Sequence, residues 1–330
     1  MKISFLAEND FANVLTEYAY CLNKHSKDIE ARSICYRPHP FNYNLQHDYD
    51  LEKCNKTQKL EAKHFLKESN VIIFAEEGHP LENTYRTLRE FSNLLEIDLI
   101  NSNKKLCIWH PGTLYRENIN FYNSHPLRNK IHKHLYAFDL YKSSPQSSLD
   151  VPFLVYNYIN FNKEKLINNF KNKLQNDHKI ITHIPSNANI KGTDIITNKL
   201  TNLPYNFEFL TTTNITHSEV IKLKSKSLFY IDQFNNLGGY GVAAIEAVLN
   251  SNIVFCTLHN THEAITKLTG EPVLPFVDLG VDPNQINSII SSYINLSDET
   301  LIEMYMGIIQ WMEEYYSPKG IINQITNIIE

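Results

Sequence analysis

A doubly wound α/β fold in two domains is what this sequence predicts, on three observations. Short continuous apolar runs recur along the chain, each followed by turn residues and then by apolar residues at helical spacing. At 330 residues the chain is long for one compact domain and comfortable for two, each able to bury its own core. The stretch from Ser227 to Cys256, SLFYIDQFNNLGGYGVAAIEAVLNSNIVFC, reads strand, glycine-rich loop, helix, strand, which is the crossover of a parallel sheet.

The elements follow in order. Ile3 to Ala7 predicts a buried strand, then a loop at Glu8-Asn9-Asp10 and a helix with Val14, Leu15, Tyr18 and Leu22 on one face. Ile29 to Tyr36 suggests a second strand, whereas Arg37 to Lys56 is polar, aromatic and irregular and reads as a surface excursion. Val71 to Ala75 is a strand closed by Glu76-Glu77-Gly78-His79-Pro80, and Leu106 to Trp109 is another, ending in a loop at His110-Pro111-Gly112-Thr113. Loops after parallel strands are where ligands sit in doubly wound folds, so Asp10, His79 and His110 mark three candidate site loops. The Ser/Pro-rich segment from Ser143 to Tyr158 reads as the connection, giving domains 1–150 and 151–316 and a terminal helix over 317–330. In the second half, Lys179 to His183, Phe207 to Leu210, Leu228 to Ile231, Ile253 to Cys256 and Val273 to Val277 predict strands. Pro185 to Thr193 is a long loop before a helix from Asp194. Asp282-Pro283, Ser297 and Ser317-Pro318 each start a helix, the last with Ile321, Ile322, Ile325, Ile328 and Ile329 on one face.

Composition narrows the function classes. The hydrophobic fraction of 42% and charged fraction of 20% fit a soluble globular chain, and 12% aromatic residues argue against disorder. A net charge of −5 gives no global reason to hold nucleic acid. The five cysteines, Cys21, Cys35, Cys54, Cys107 and Cys256, are odd in number and widely spaced. They read as reduced thiols of a cytoplasmic protein, with no CxxC pair to suggest a metal. Met1-Lys2 passes directly into a strand-like run, so no signal peptide is expected, and no run approaches membrane-spanning length.

The glycine-rich loop carries the chemistry. Gly238, Gly239 and Gly241 let backbone approach a ligand, and the N–H groups from Gly239 through Tyr240 and Gly241 to Val242 would suit a diphosphate. Glu246 is an acid in an otherwise aliphatic helix, costly to bury unless it accepts hydrogen bonds from ligand hydroxyls or pairs with a lysine. The structural and ligand-binding readings of this loop carry even weight.

With these residues placed, the chain resembles the GT-B glycosyltransferases, and among them the retaining enzymes of glycosyltransferase family 4. HIPSNANIKGTDII is similar to the family's stretch in which a Lys-Gly pair precedes a helix, which implies that Lys191 meets the donor diphosphate. THSEV, with Ser218, and YIDQFNNLGGYGVAAIEA match in order and spacing, ending in the glutamate that holds the donor ribose, here Glu246. WHPGTLYRE resembles the loop near the transferred sugar, which nominates His110 and, more weakly, Arg116; Asp10 and His79 are further candidates for sugar or acceptor contacts. The chain departs from the family at Gly238, where the first acid of a Glu-x7-Glu motif would stand, and near Ala188, where an arginine is often found. Asp232 reads as a cap on the loop, or else as a partial replacement for that acid.

The resemblance implies two Rossmann-like domains facing across a cleft, a terminal helix crossing back to the first, and transfer of a sugar from a nucleotide-diphosphate donor to an acceptor hydroxyl with retention. It implies no metal and no other cofactor. Lys191 and the loop N–H groups would be the main electrostatic catalysts, with His110 and Glu246 beside them. The acceptor would be a surface glycan or a lipid-linked sugar, with at most peripheral membrane association. A hydroxymethylated DNA base of a phage is the less favoured acceptor, given the charge. A sugar-nucleotide epimerase of the same fold, using Glu76 and Glu77, and a non-catalytic nucleotide-sugar-binding protein are the alternatives.

Overall fold

The computed structural model describes all residues except 38–44, 78–83, 111, 156–160, 201–203, 205, 236 and 271–274. The chain forms two compact units, Met1–Tyr158 with Pro318–Glu330, and Ile159–Ser317. The His79 loop lies outside the described residues.

The first unit runs β1 (Lys2–Ala7), α1 (Val14–His25), β2 (Glu30–Cys35), β3 (Tyr49–Asp50), α2 (Lys56–Glu68), β4 (Val71–Ala75), α3 (Arg86–Leu95), β5 (Lys105–His110), α4 (Gly112–Glu117), α5 (Ile119–Ser124), β6 (Lys133–Tyr136), α6 (Phe138–Tyr141) and β7 (Asp150–Pro152). Its seven strands stand in the order β3-β2-β1-β4-β5-β6-β7, all parallel. Parallel strands covered on both faces need apolar residues throughout, which is why β1, β4 and β5 were visible as uninterrupted runs. Ile3, Phe5, Leu6 and Ile72 to Ala75 are all buried.

Three short strands depart from the sequence reading. β3 lies in the supposed surface excursion, where Leu51 is buried and Tyr49 and Asp50 pair with β2. β6, with Lys133 and His134 in it, has no apolar run to mark it. β7 lies inside the supposed connection and belongs to the first unit's sheet, so that sheet continues past residue 150. As an edge strand it tolerates Pro152, which supplies no N–H.

The second unit runs α7 (Lys163–Leu174), β8 (Lys179–His183), α8 (Ala188–Lys191), α9 (Thr193–Lys199), β9 (Phe207–Thr211), α10 (His217–Lys226), β10 (Phe229–Gln233), α11 (Val242–Val248), β11 (Ile253–Cys256), α12 (His262–Thr269), β12 (Val277–Asp278), α13 (Ile286–Ile294) and α14 (Asp298–Tyr315). Its sheet is parallel, in the order β12-β11-β10-β8-β9. The expected strand from Val273 is only β12 within the described residues, and the expected long loop after β8 contains the one-turn α8. Lys173 of α7 is buried, and its ammonium reaches the carbonyls of Lys224, Ser227, Asn250 and Ser251 at 2.5–3.1 Å, tying the end of α10 to the turn before β11. Burial pushes this lysine down to about 7.

The last helix, α15 (Pro318–Ile329), packs on α1 of the first unit. Ile321, Ile325, Ile328 and Ile329 are buried, while Ile322 is half-buried. Tyr18 donates to Gln324 Oε1 at 2.6 Å, and Lys105 Nζ donates to the Ile329 carbonyl at 2.5 Å.

Candidate functional site

In the second unit, the residues singled out by sequence converge at the carboxyl end of β10. Lys191 Nζ donates to Asp232 Oδ1 at 2.9 Å and to Gln233 Oε1 at 2.8 Å. The other Asp232 oxygen accepts the Gly241 N–H at 3.1 Å, so one carboxylate caps the glycine-rich loop and also anchors the lysine. The Asp232 side chain is fully buried and that of Lys191 is 16% exposed. Gln233 donates its amide to the Gly239 carbonyl.

The turn after Lys191 explains the glycine beside it. Gly192 has φ +70°, and a Cβ there would lie 1.9 Å from the Phe234 carbonyl oxygen. Any side chain would push the turn off the end of β10. Backbone bonds then fix the pair of loops, with Phe234 N–H donating to the Lys191 carbonyl at 3.0 Å and Asn235 Nδ2 to the Ile190 carbonyl at 2.6 Å. His183, at the end of β8, bridges the Ile231 carbonyl and Thr193 Oγ1, both at 2.9 Å.

Glu246 sits in the second turn of α11 and is 4% exposed. Oε1 meets His217 Nε2 and Oε2 meets Lys224 Nζ, both at 2.8 Å. Lys224 is fully buried, also donates to the Ala243 carbonyl at 2.9 Å, and lies 4.8 Å from the Tyr230 ring centre. Burial alone would raise the Glu246 carboxyl, but Lys224 and then His217 outweigh it and bring it down to about 2. The lysine-paired alternative for this acid is thus present in the structure, with a histidine added. His217 and Ser218 open α10, where Thr216 and Glu219 form a capping box; Ser218 is exposed and 3.1 Å from Thr216 Oγ1. Tyr240 reaches Tyr316 Oη at 3.0 Å and packs edge-on against Phe276. Val242 is the first residue of α11.

The first-unit candidates have different surroundings. His110 is the last residue of β5 and 1% exposed, a correction to its reading as a loop residue. It stacks on Tyr136 at 4.7 Å, and its Nε2 meets His134 Nδ1 at 3.0 Å, inside a cluster with Tyr115 and Tyr122. Burial, then His134 and Arg128, hold it well below the usual imidazole range, so it is a neutral core residue here. Arg116 on α4 is paired with Asp139. Asp10 is buried and accepts from Leu15 N–H, Thr16 N–H and Thr16 Oγ1 at 2.6–2.9 Å, capping α1.

The acid pair after β4 splits in role. Glu76 accepts the Arg86 and Thr87 N–H groups at the start of α3. Glu77 Oε2 accepts the Asn9 N–H at 2.8 Å, whereas its Oε1 is buried without a partner among the described residues. Burial raises Glu76 to about 8 and Glu77 to about 7.

The chain carries one Asp-x-Asp triplet, Asp48-Tyr49-Asp50. Its first acid is bonded by Arg32 and the Ser33 N–H, and its last pairs with Lys53 at 3.1 Å. Among the described residues, no three His, Cys, Asp or Glu side chains are grouped to hold a metal ion, and no helix is long and apolar enough to cross a membrane.

No family profile and no curated protein matches the chain. Solved structures do. HepE of Anabaena in complex with UDP-glucose superposes with a TM-score of 0.60 at 12% identity, covering 99% of this chain and 98% of that one. The fold is of the GT-B type. HepE in complex with UDP gives 0.59 at 13% identity over 99% of both chains. The N-terminal domain of trehalose-6-phosphate phosphatase from Candida albicans gives 0.53 at 10% identity, over 99% of this chain and 96% of that one.

Proposed function

We propose that the protein is a glycosyltransferase that takes its sugar from a nucleoside-diphosphate donor bound in the second unit. The observation that carries this is the convergence of Lys191, Asp232 and the Gly241 N–H at the end of β10, with Glu246 behind them on α11, in a fold shared with a protein solved with UDP-glucose. Departure of a diphosphate from an anomeric carbon builds negative charge on phosphate oxygens. A lysine ammonium already held in place, beside loop N–H groups, stabilises that charge without reorganising. For the donor to use Lys191, the diphosphate must share or take over the contact with Asp232. The nucleoside ribose falls to Glu246 and His217, the latter being the more exposed partner of the pair.

Transfer proceeds with retention in this reading, which rests on the family resemblance of the Lys-Gly and Gly-rich stretches. The acceptor is a glycan or lipid-linked hydroxyl, and no metal takes part. Incubation with a panel of nucleotide sugars, followed by release of free nucleotide, tests the activity. Lys191→Ala should abolish release, and the anomeric configuration of any product, read by proton NMR, tests retention. Absence of nucleotide binding across the panel would overturn the proposal.

A second reading follows from Glu77, whose Oε1, unpartnered among the described residues, and elevation to about 7 suit proton abstraction from a sugar nucleotide, as in an epimerase. Incubation in deuterium oxide separates the two, because epimerisation by proton abstraction places deuterium on the sugar carbon. Glu77→Gln would stop that exchange.

A further inference from the structure

We infer that His259 reads a hydroxyl of the donor's transferred sugar from beneath the glycine-rich loop, in the space that Gly238 leaves open. The inference rests on the donor reading above and adds a residue to it. A Cβ built at Gly238 would lie 2.6 Å from Cε1 and 2.7 Å from Nδ1 and Nε2 of His259. The imidazole, carried on the loop after β11, occupies the place that a side chain at 238 would take, and the φ of +62° there favours glycine in its own right.

The ring is held in register with the loop. Asn260 donates its N–H to the Gly238 carbonyl and its side-chain amide to the Leu237 carbonyl, both at 3.0 Å, and Leu258 N–H donates to Asp278 at 3.0 Å. Despite this anchoring, Nδ1 of His259 is buried without a hydrogen-bond partner among the described residues. Buried polar atoms are nearly always paired, and this one lies against the proposed donor loop, where a ligand hydroxyl would complete its bonding. Three residues along the same loop, the Cβ position of Gly241 is 3.6 Å from Lys191 Nζ, which puts the diphosphate-binding lysine beside the other end of the loop. A sugar hydroxyl both donates and accepts, so it pairs with Nδ1 in either tautomer.

The test separates sugar from diphosphate. Wild-type protein is titrated calorimetrically with UDP, ADP and GDP to select the base, then with that diphosphate's glucose, galactose and N-acetylglucosamine esters to select the sugar. His259→Phe keeps a ring against Gly238 and removes both nitrogens. It should weaken binding of the selected sugar ester about tenfold, as expected for one lost hydrogen bond, and leave the diphosphate unchanged. His259→Asn, which retains a polar group near Nδ1, should recover part of the loss, and unchanged melting of both variants excludes misfolding. If the diphosphate binds and His259→Phe weakens ester and diphosphate equally, or neither, this inference is overturned while the donor site stands. If no diphosphate binds wild type, the donor reading fails and this one with it.

Discussion

Lys224 has no exposed surface, and its ammonium meets a carboxylate, a backbone carbonyl and the face of a tyrosine. Removing one member of such a buried pair strands the other, so Lys224→Met should cost ~3–5 kcal/mol in urea unfolding. The double variant Lys224→Met with Glu246→Leu should recover most of it, since no charge is then left inside; a double variant as unstable as the single one would contradict the pairing. Gly192→Ala is the backbone counterpart. With φ +70° and a carbonyl oxygen 1.9 Å from the new methyl carbon, it should cost ~2 kcal/mol or more and weaken diphosphate binding through displacement of Lys191. Gly241 and Glu246 were legible locally, as a glycine cluster and an acid in an aliphatic helix, whereas Lys191 was nominated by the family resemblance of its Lys-Gly pair. Lys224, His217 and His259 were not singled out, since the Glu246 partners stand 22 and 29 residues away and nothing in the sequence links them. The capping box Thr216-x-x-Glu219 was readable and would have fixed His217 at the first turn of α10. His110 was misplaced because β5 runs one residue beyond its apolar run, and the nearby Tyr115, Tyr122 and Tyr136 were the available sign of an aromatic core.

Elements declare themselves in sequence when they are covered on both sides. β1, β4, β5, β8, β10 and β11 are interior strands and were all read from their apolar runs, whereas β3 and β7 are sheet edges of two and three residues, too short for any period. β6 is interior yet carries Lys133 and His134, the latter buried only by virtue of bonds to His110 and the Arg128 carbonyl. Among helices, α15 has the most direct consequence. Its isoleucines cover α1, and Gln324 receives the Tyr18 hydroxyl from beneath. Truncation after Tyr316 should expose that apolar face, lower the melting temperature by several degrees and promote aggregation. A truncated protein with unchanged melting, followed by circular dichroism, would show the contact to be dispensable.

For the whole molecule, two buried groups, His134 and Glu246, withdraw stability as pH falls. Burial, and then Arg128, depress His134 to about 4, so between about pH 6.5 and 4 the unfolded chain takes up a proton that the folded one refuses. A depressed folded-state value means stability is full above the unfolded value and falls as pH drops, here by ~3 kcal/mol across that window. Glu246, held at about 2, adds a second loss of the same sign between about pH 4.5 and 2. Glu76 and Glu77, raised to about 8 and about 7, act with the opposite sign over much of the same window, so His134 is isolated by difference: in urea titrations at pH 7, 5.5 and 4, wild type should lose more stability on acidification than His134→Asn does. An identical slope in that variant would assign the loss to other groups.

The 1.9 Å approach at Gly192 also bears on descent. The codon at 192 cannot drift to alanine or serine without moving the β10 terminus, a constraint that holds the glycine and does not extend to the lysine before it. Among diverged copies of this gene, those that abandon the proposed chemistry should lose Lys191 first and keep Gly192 long afterwards, as a fossil of the turn rather than of the reaction.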